Sequence, residues 1–265
     1  MKIQALASGS NGNAAYLESG KTGILVDAGI SCKRITEALS RVVSDGVSLS
    51  AVLVTHEHYD HINGLFILAK KCALKIYATP ETCSYIRYAD KNGAIPQDAF
   101  CEIEPDVPFS VGDFTIRAAK TSHDAVNSVC YRISDGKNAV GIVTDTGYIT
   151  KDIEKTMQNL NGLLLESNHD VRMLEVGTYP YALKRRILGR NGHLSNVQAS
   201  DFLKEAVTPD LRFLLLGHLS EENNLPELAE LTAIETLNAL SPERKDPDLT
   251  LEVLSRYSPS KIYEI

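Results

Sequence analysis

A short segment carries the greatest concentration of chemically reactive side chains in the sequence. It reads Thr55-His56-Glu57-His58-Tyr59-Asp60-His61 and contains three of the seven histidines of the chain. Imidazole nitrogens and carboxylate oxygens are common ligands of divalent transition metals. A solvated polar turn would give no reason for three histidines so close together. The spacing therefore predicts a metal site.

The element before this segment indicates how its side chains can meet. Residues 51–55 form an apolar run that predicts a strand stopping at His56. A helix would distribute the following side chains around its circumference. A strand end that turns into a loop can instead direct them into one pocket.

Three more side chains of ligand type follow apolar runs later in the chain. They are His123, Asp145 and His218. Strands of like direction present their ends at one edge of a sandwich, so we expect these residues to join the first cluster. Considered alone, either histidine would more simply be a capping or core residue, and Asp145 a turn residue before Gly147. The first cluster favours the ligand interpretation for all three.

The elements that must position these side chains alternate along the sequence. Strands are predicted at 3–7, 14–18, 23–27, 51–55, 75–78, 108–119, 129–134, 138–144, 163–167, 213–216 and 249–254. Helices are predicted at 31–42, 61–71, 80–92, 151–159, 183–188, 195–205 and 226–240, with Ser31 as an N-terminal cap. The simplest arrangement is one α/β domain spanning 1–265, built as two strand-then-helix halves with helices outside two packed sheets.

The composition is that of a globular protein without a membrane-spanning segment. Apolar residues make up 43% and charged residues 23% of the chain. No stretch approaches the roughly 20 apolar residues of a membrane helix. The start of the chain runs into a Gly/Ser-rich loop at 8–13 and does not resemble a signal peptide. The net charge of −7 weighs modestly against tight non-specific binding of nucleic acid.

The five cysteines are scattered and form no Cys-x-x-Cys pair. This pattern does not suit a disulfide framework or a cysteine zinc site, and it is typical of a reducing compartment. We therefore expect five buried structural thiols and a cytoplasmic location.

The pattern His-x-His-x-Asp-His at 56–61 resembles the signature of the metallo-β-lactamase superfamily. The resemblance implies a four-layer αββα sandwich. It also implies that His56, His58 and His123 hold one metal, that Asp60, His61 and His218 hold another, and that Asp145 bridges them. Such pairs share a water or hydroxide that serves as nucleophile, and Asp60 is expected to orient it. The nitrogen and oxygen donors suit Zn²⁺ or Mn²⁺ and also iron.

A closer resemblance, to the YycJ/WalJ-like group of bacterial nucleases, covers essentially the whole chain. The similar peptides lie at 6–14, 165–170, 192–196, 216–224 and 260–265. The resemblance implies an exonuclease acting on DNA with 5′ to 3′ polarity. RNA is a second possible substrate.

Three side chains outside the ligand set are candidates for supporting roles. His193, in His193-Leu194-Ser195, resembles a histidine of the RNase Z branch that assists phosphodiester cleavage. It could donate a proton to the leaving oxygen; the alternative is a loop histidine bonded to backbone. His169 could contact substrate or support a ligand, or it could be a turn residue. Glu166 is expected to orient a ligand histidine.

A basic run at 184–190 comes just before His193 and holds four cations. We expect Arg185, Arg186 and Arg190 to contact substrate phosphates. The alternative is a solvated helix face. The Gly/Ser loop at 8–13 lacks the lysine and spacing of a P-loop, but it could contact substrate at the rim of the site.

The function predicted from these features is a metal-dependent phosphodiesterase, and specifically a DNA exonuclease. A small-molecule hydrolase on the same fold, such as a thioesterase, lactonase or cyclic phosphodiesterase, is the first alternative. A non-catalytic regulatory module that keeps the metals for structure is the second, although a complete ligand set disfavours it.

Overall fold

The computed structural model describes residues 1–240 and 249–265. Within these residues the strands form two seven-stranded sheets. In order across the first sheet, the strands are β14 (Tyr263–Glu264), β1 (Lys2–Ala7), β2 (Ala14–Ser19), β3 (Thr22–Val26), β4 (Ser48–Leu53), β5 (Lys75–Ala78) and β6 (Phe100–Glu102). The order across the second sheet is β13 (Thr250–Val253), β12 (Phe213–Gly217), β11 (Gly162–Glu166), β10 (Ala139–Val143), β9 (Val129–Ser134), β8 (Phe114–Lys120) and β7 (Phe109–Val111).

Each sheet is part antiparallel and part parallel. In the first sheet β1, β2 and β3 form an antiparallel meander, and β3 to β6 pair in parallel. In the second sheet β7 to β10 are antiparallel, and β10 to β13 are parallel. It follows that β1, β3 and β4 share one direction, as do β8, β10, β11 and β12. The two sheets therefore have similar arrangements of antiparallel and parallel strands.

The helices lie outside the sheets. In the described residues they are α1 (Cys32–Val42), α2 (Tyr59–Ile62), α3 (Leu65–Cys72), α4 (Pro80–Ala89), α5 (Lys151–Thr156), α6 (Val171–Val176), α7 (Tyr181–Ile187), α8 (Asn196–Ala206) and α9 (Pro226–Leu240). The predicted cap of α1 is confirmed, since the Ser31 side chain accepts a hydrogen bond from the Arg34 amide. Ser195 and Gln198 form a reciprocal capping box at the start of α8.

Three apolar clusters separate the layers and define the αββα sandwich. The central cluster joins the facing sides of both sheets and includes Leu17, Leu53, Ile116, Ile142 and Leu215. A second cluster packs α1, α3 and α4 against the first sheet, and a third packs α5, α8 and α9 against the second. Each fully buried side chain of this size contributes about 1.5–3 kcal/mol by leaving water. The predicted four-layer fold class is confirmed.

The predicted helix 61–71 is wrong in detail, because the structure divides it into α2 and α3. The division falls at Gly64, where an added Cβ would lie 2.1 Å from the Ile30 carbonyl oxygen. The predicted strand 108–119 is a hairpin of β7 and β8 around Gly112. The sequence patterns also missed α6 and the short strands β6 and β14, which are too brief to show a clear period.

All five cysteines are free, as predicted, but the expectation that all are buried is wrong. Cys72 is exposed at the end of α3, and Cys101 is only partly buried. Among residues 1–240 and 249–265, no helix has the length and apolar character required to span a bilayer.

Candidate metal centre

The candidate ligands follow strands of like direction and meet where those strands end. His56, His58, Asp60 and His61 follow β4, and His123 follows β8. Asp145 follows β10 and His218 follows β12. The structure brings all seven side chains together. The ligand atoms lie within 4.8 Å of one another in each of three sets: His56 with His58 and His123, Asp60 with His61 and His218, and His56 with His61 and Asp145.

In the first set, the rings of His56 and His123 are each held through Nδ1, so that Nε2 remains directed at the neighbouring ligands. His123 uses Nδ1 to contact the Gly192 carbonyl oxygen at 3.0 Å, and its Nε2 lies 3.3 Å from Nδ1 of His58. His56 uses Nδ1 to contact the Thr55 hydroxyl at 3.0 Å. Its Nε2 is buried without a hydrogen-bond partner among the described residues. An unpartnered buried nitrogen is costly, and a bound cation would satisfy it.

In the second set, carboxylates hold the histidine rings. His61 Nδ1 lies 2.7 Å from Asp27 Oδ2, and His218 Nδ1 lies 3.0 Å from Glu166 Oε1. The Nε2 atoms of these two rings point inward: that of His61 lies 3.1 Å from Asp145 Oδ2, and that of His218 lies 3.4 Å from Asp60 Oδ2. A carboxylate that fixes one nitrogen of a histidine while the other faces a shared centre is the usual support of a metal ligand. The donor set and its support therefore fit two divalent cations.

The electrostatics of the site are dominated by buried opposite charges. Burial lowers the pKa of His56 well below its ordinary value, and repulsion from His61 adds to this. Burial opposes the charged form of His218, but Asp145 and Asp60 outweigh it and raise the pKa of His218 to about 10. Burial likewise disfavours ionised Asp145, yet His218 and His61 hold its pKa well below the usual range. These carboxylates therefore remain ionised and attract positive charge into the centre.

Three residues of the site adopt the left-handed backbone conformation within two residues of the end of a strand. The φ angles are 61° for Asp27, 57° for Asp145 and 56° for His218. This conformation is uncommon for residues other than glycine and is often retained where it directs a functional side chain. Here it turns each side chain from the strand end toward the centre.

Sequence reasoning missed Asp27 as part of the site. Its carboxylate accepts hydrogen bonds from the backbone amide and hydroxyl of Thr55, in addition to its contact with His61. Nearby, Gly29 has no space for a side chain, because a Cβ would lie 1.6 Å from the Asp60 carbonyl oxygen. The available signal was an aspartate that ends an apolar strand, the same feature that drew attention to Asp145.

His193 lies beside the ligand cluster. Its Nδ1 is 2.7 Å from Glu166 Oε1 and 3.4 Å from Asp145 Oδ1, and its side chain is 15% exposed. Glu166 is fully buried and contacts both His193 and His218. Burial opposes its ionisation, but His193 and His218 lower the pKa of Glu166 to about 2.

The structure does not place His169 in the open part of the site. Its side chain is buried, and neither ring nitrogen has a hydrogen-bond partner among the described residues. Burial lowers its pKa to about 4. Contact between His169 and a substrate would require this segment to open, whereas its proximity to Glu166 is compatible with a supporting role.

The cations of the basic run have different partners. Lys184 donates to the carbonyl oxygens of Glu175 and Gly177. Arg186 pairs with Asp124, the neighbour of the candidate ligand His123. Arg185 and Arg190 are exposed, and the Arg190 guanidinium lies 4.7 Å from the centre of the Tyr148 ring. The run therefore borders the site, but its arginines do not share one environment.

Comparison with known proteins identifies relatives along most of the chain. Residues 22–218 match the beta-lactamase superfamily domain. The chain is 38% identical over 236 residues to exodeoxyribonuclease WalJ of Streptococcus pneumoniae, covering 89% of this chain and 88% of that protein. It is 37% identical over 239 residues to exodeoxyribonuclease YycJ of Bacillus anthracis, covering 89% of each. The metallo-β-lactamase fold protein YhfI from Bacillus subtilis is 20% identical and superposes with a TM-score of 0.71 over 99% of both chains.

The similarity to YhfI concerns the fold alone. The sequence identity to WalJ and YycJ extends over most of this chain and most of each of those two proteins. These matches agree with the resemblance noted in the His-x-His-x-Asp-His segment and the longer peptides. The chain is a member of the metallo-β-lactamase superfamily of hydrolases, in the group that contains WalJ and YycJ.

Proposed function

We propose that this protein is a metal-dependent phosphodiesterase that degrades DNA from an end. The observation that carries the proposal is the Glu166–His193 pair beside seven side chains of metal-ligand type. The printed names of WalJ and YycJ, both exodeoxyribonucleases, support DNA as the substrate class. The 5′ to 3′ polarity rests on resemblance to their group.

We propose that His56, His58 and His123 hold one divalent cation and that Asp60, His61 and His218 hold a second, with Asp145 shared. When bound, the two cations would provide Lewis acidity and lower the pKa of a coordinated water toward ~7. Oxygen and nitrogen donors suit Zn²⁺ and Mn²⁺, and iron is also compatible. Asp60, whose side chain is 21% exposed, is accessible for orienting the attacking group.

His193 is the proposed general acid. Because Glu166 accepts from Nδ1, the other ring nitrogen, Nε2, is available to a substrate. A proton delivered from Nε2 to the leaving oxygen would complete cleavage of the phosphodiester. The Glu166 carboxylate orients the ring for this step through its contact with Nδ1.

Arg185 and Arg190 are the proposed phosphate contacts, since both side chains are exposed at the border of the site. Arg186 has a different proposed role, because its pairing with Asp124 fixes the loop that carries His123. For His169, we propose support of the Glu166 region rather than direct substrate contact. We also propose that the chain works as one domain in the cytoplasm.

A panel of substrates tests the proposed function. The protein, reconstituted with Mn²⁺ or Zn²⁺, is incubated with end-labelled single- and double-stranded DNA, RNA, and a phosphodiester dye. Faster release from DNA than from RNA is expected. Cleavage of thioesters or lactones without cleavage of DNA would favour the small-molecule hydrolase. Two bound metals with no hydrolysis of any substrate would favour the regulatory module.

A further inference from the structure

The loop at 8–13 extends from the end of β1 at the same edge as the metal centre. Its tip is exposed at Ser10 and Asn11, whereas Ser8 and Asn13 are buried. The loop lies outside residues 22–218, the region that matches the superfamily domain.

Asn13 contacts two of the candidate ligands of the second cation. Its backbone amide donates to the Asp60 carbonyl oxygen at 2.8 Å. Its side-chain Nδ2 lies 3.4 Å from Asp60 Oδ2 and 3.2 Å from His61 Nε2. The amide group is fixed from the loop side, because Oδ1 accepts from the Gly9 amide at 3.0 Å and Nδ2 donates to the Gly9 carbonyl at 3.1 Å.

Ser8 contacts the third ligand of the same set. Its hydroxyl oxygen accepts a hydrogen bond from the His218 backbone amide at 2.8 Å. The Ser8 amide in turn donates to the Ser255 carbonyl oxygen at 3.2 Å. Asn13 and Ser8 thus hold both sides of one loop against Asp60 and the backbone of His218.

The first set of ligands is supported differently. Thr55 contacts His56, and the Gly192 carbonyl contacts His123. Among the hydrogen bonds of the described residues, none joins the loop at 8–13 to either of these histidines or to His58. The loop at 8–13 therefore contacts ligands of the second set and not those of the first.

We infer that the loop at 8–13 selectively sets the affinity of the second cation, with Asn13 and Ser8 as its positioning residues. This inference rests on the ligand sets in the proposed function. Asn13 restricts the Asp60 carboxylate by donating to Oδ2, and Ser8 fixes the backbone that carries His218. Loss of such an outer contact typically weakens metal binding about 10–100-fold.

Metal titration of the full chain tests the inference without an activity assay. Metal-stripped wild type, Asn13→Ala and Ser8→Ala are dialysed against buffered Mn²⁺ and analysed for metal content. Cadmium NMR then follows the two sites separately, with His123→Ala and His218→Ala assigning the resonances. Both loop variants should weaken the second site about 10–100-fold and leave the first unchanged. Asn11→Ala, an exposed change in the same loop, is the matched control and should bind both cations as wild type does.

Circular dichroism of the metal-free proteins checks folding, and Ser8→Ala decides the question if Asn13→Ala does not fold. An unchanged second site in the folded variants overturns the inference. Equal weakening of both sites also overturns it, since that would indicate general disturbance rather than selective support. Failure of the wild type to bind two cations would instead reject the ligand sets of the proposed function.

Discussion

Glu166 holds His193 from the buried side of the metal centre, with Oε1 2.7 Å from Nδ1. The carboxylate is fully buried, whereas the His193 side chain is 15% exposed. The same oxygen lies 3.0 Å from Nδ1 of His218. One buried carboxylate therefore supports both a proposed ligand and the proposed general acid.

His193→Ala should retain both cations and lower turnover on DNA roughly 10²–10⁴-fold, the usual scale for a lost acid–base group. The loss should be smaller with a nitrophenyl phosphodiester, because its leaving oxygen needs little protonation. Elemental analysis measures the metal content, and the ratio of wild-type to variant turnover is measured for each of the two substrates. Equal losses on both substrates, with metal retained, would argue against the acid role and for simple positioning.

Glu166→Gln should differ from His193→Ala because Glu166 contacts two histidines. The amide carries no negative charge, and its NH2 group would face the Thr146 and Leu194 backbone amides that donate to Oε2 of the carboxylate. The variant should therefore hold both rings less firmly, lose turnover and bind the second cation about 10–100-fold more weakly. Metal content after dialysis separates the two variants. If Glu166→Gln binds metal as tightly as wild type, Glu166 supports His193 but not the ligand His218.

Replacing both Arg185 and Arg190 by glutamine should weaken DNA binding and reduce the salt dependence of the binding constant. Salt dependence is the slope of the logarithm of the binding constant against the logarithm of the salt concentration. Each lost phosphate contact should reduce the magnitude of this slope by roughly 1. Binding is measured by fluorescence anisotropy over a range of salt concentrations. A double change of the exposed Lys33 and Lys204 to glutamine removes the same charge elsewhere and is the control. If both double variants have the same slope, the basic run is a solvated face.

Glu18 should make the fold sensitive to acid independently of the metal centre. Its burial favours the neutral form, but Lys2 at 2.6 Å and hydrogen bonds from Ser44 outweigh this and lower its pKa to about 2. A carboxylate whose pKa is lower in the folded state stabilises the protein above its unfolded value of about 4.3, and this contribution, on the order of 3 kcal/mol, is lost as the pH falls toward 2.

Glu18→Gln should therefore be less stable than wild type at neutral pH and should lose less stability between pH ~5 and ~3. Urea denaturation at the two pH values measures both effects. Glu37→Gln, at an exposed carboxylate on α1, is the control. If the free energy of unfolding changes with pH equally in Glu18→Gln and wild type, Glu18 does not contribute to the acid sensitivity of the fold.

The sequence was most informative where ligand types followed apolar strands. That pattern anticipated the convergence of His56, His123, Asp145 and His218, because strand direction brings their loops to one edge. The pattern did not identify the side chains that hold the ligand histidines in place. Asp27 and His61 are 34 residues apart, and Ser8 and His218 are 210 apart, so no local period relates them.

The basic run illustrates a second reason for incomplete prediction. Four cations within seven residues appear equivalent in the sequence. Their environments differ because neighbouring segments provide Asp124 for Arg186 and carbonyl oxygens for Lys184. Only the packed structure distinguishes cations used for folding from those exposed to a ligand.

Metal-dependent release of nucleotides from end-labelled DNA tests the central claim most directly. Metal-stripped protein should be inactive, activity should return as divalent cation is added, and Asp145→Ala should remain inactive at the same cation concentration. DNA cleavage at the wild-type rate by the metal-stripped protein or by Asp145→Ala would contradict the account. So would the absence of cleavage by wild-type protein that demonstrably holds two cations per chain.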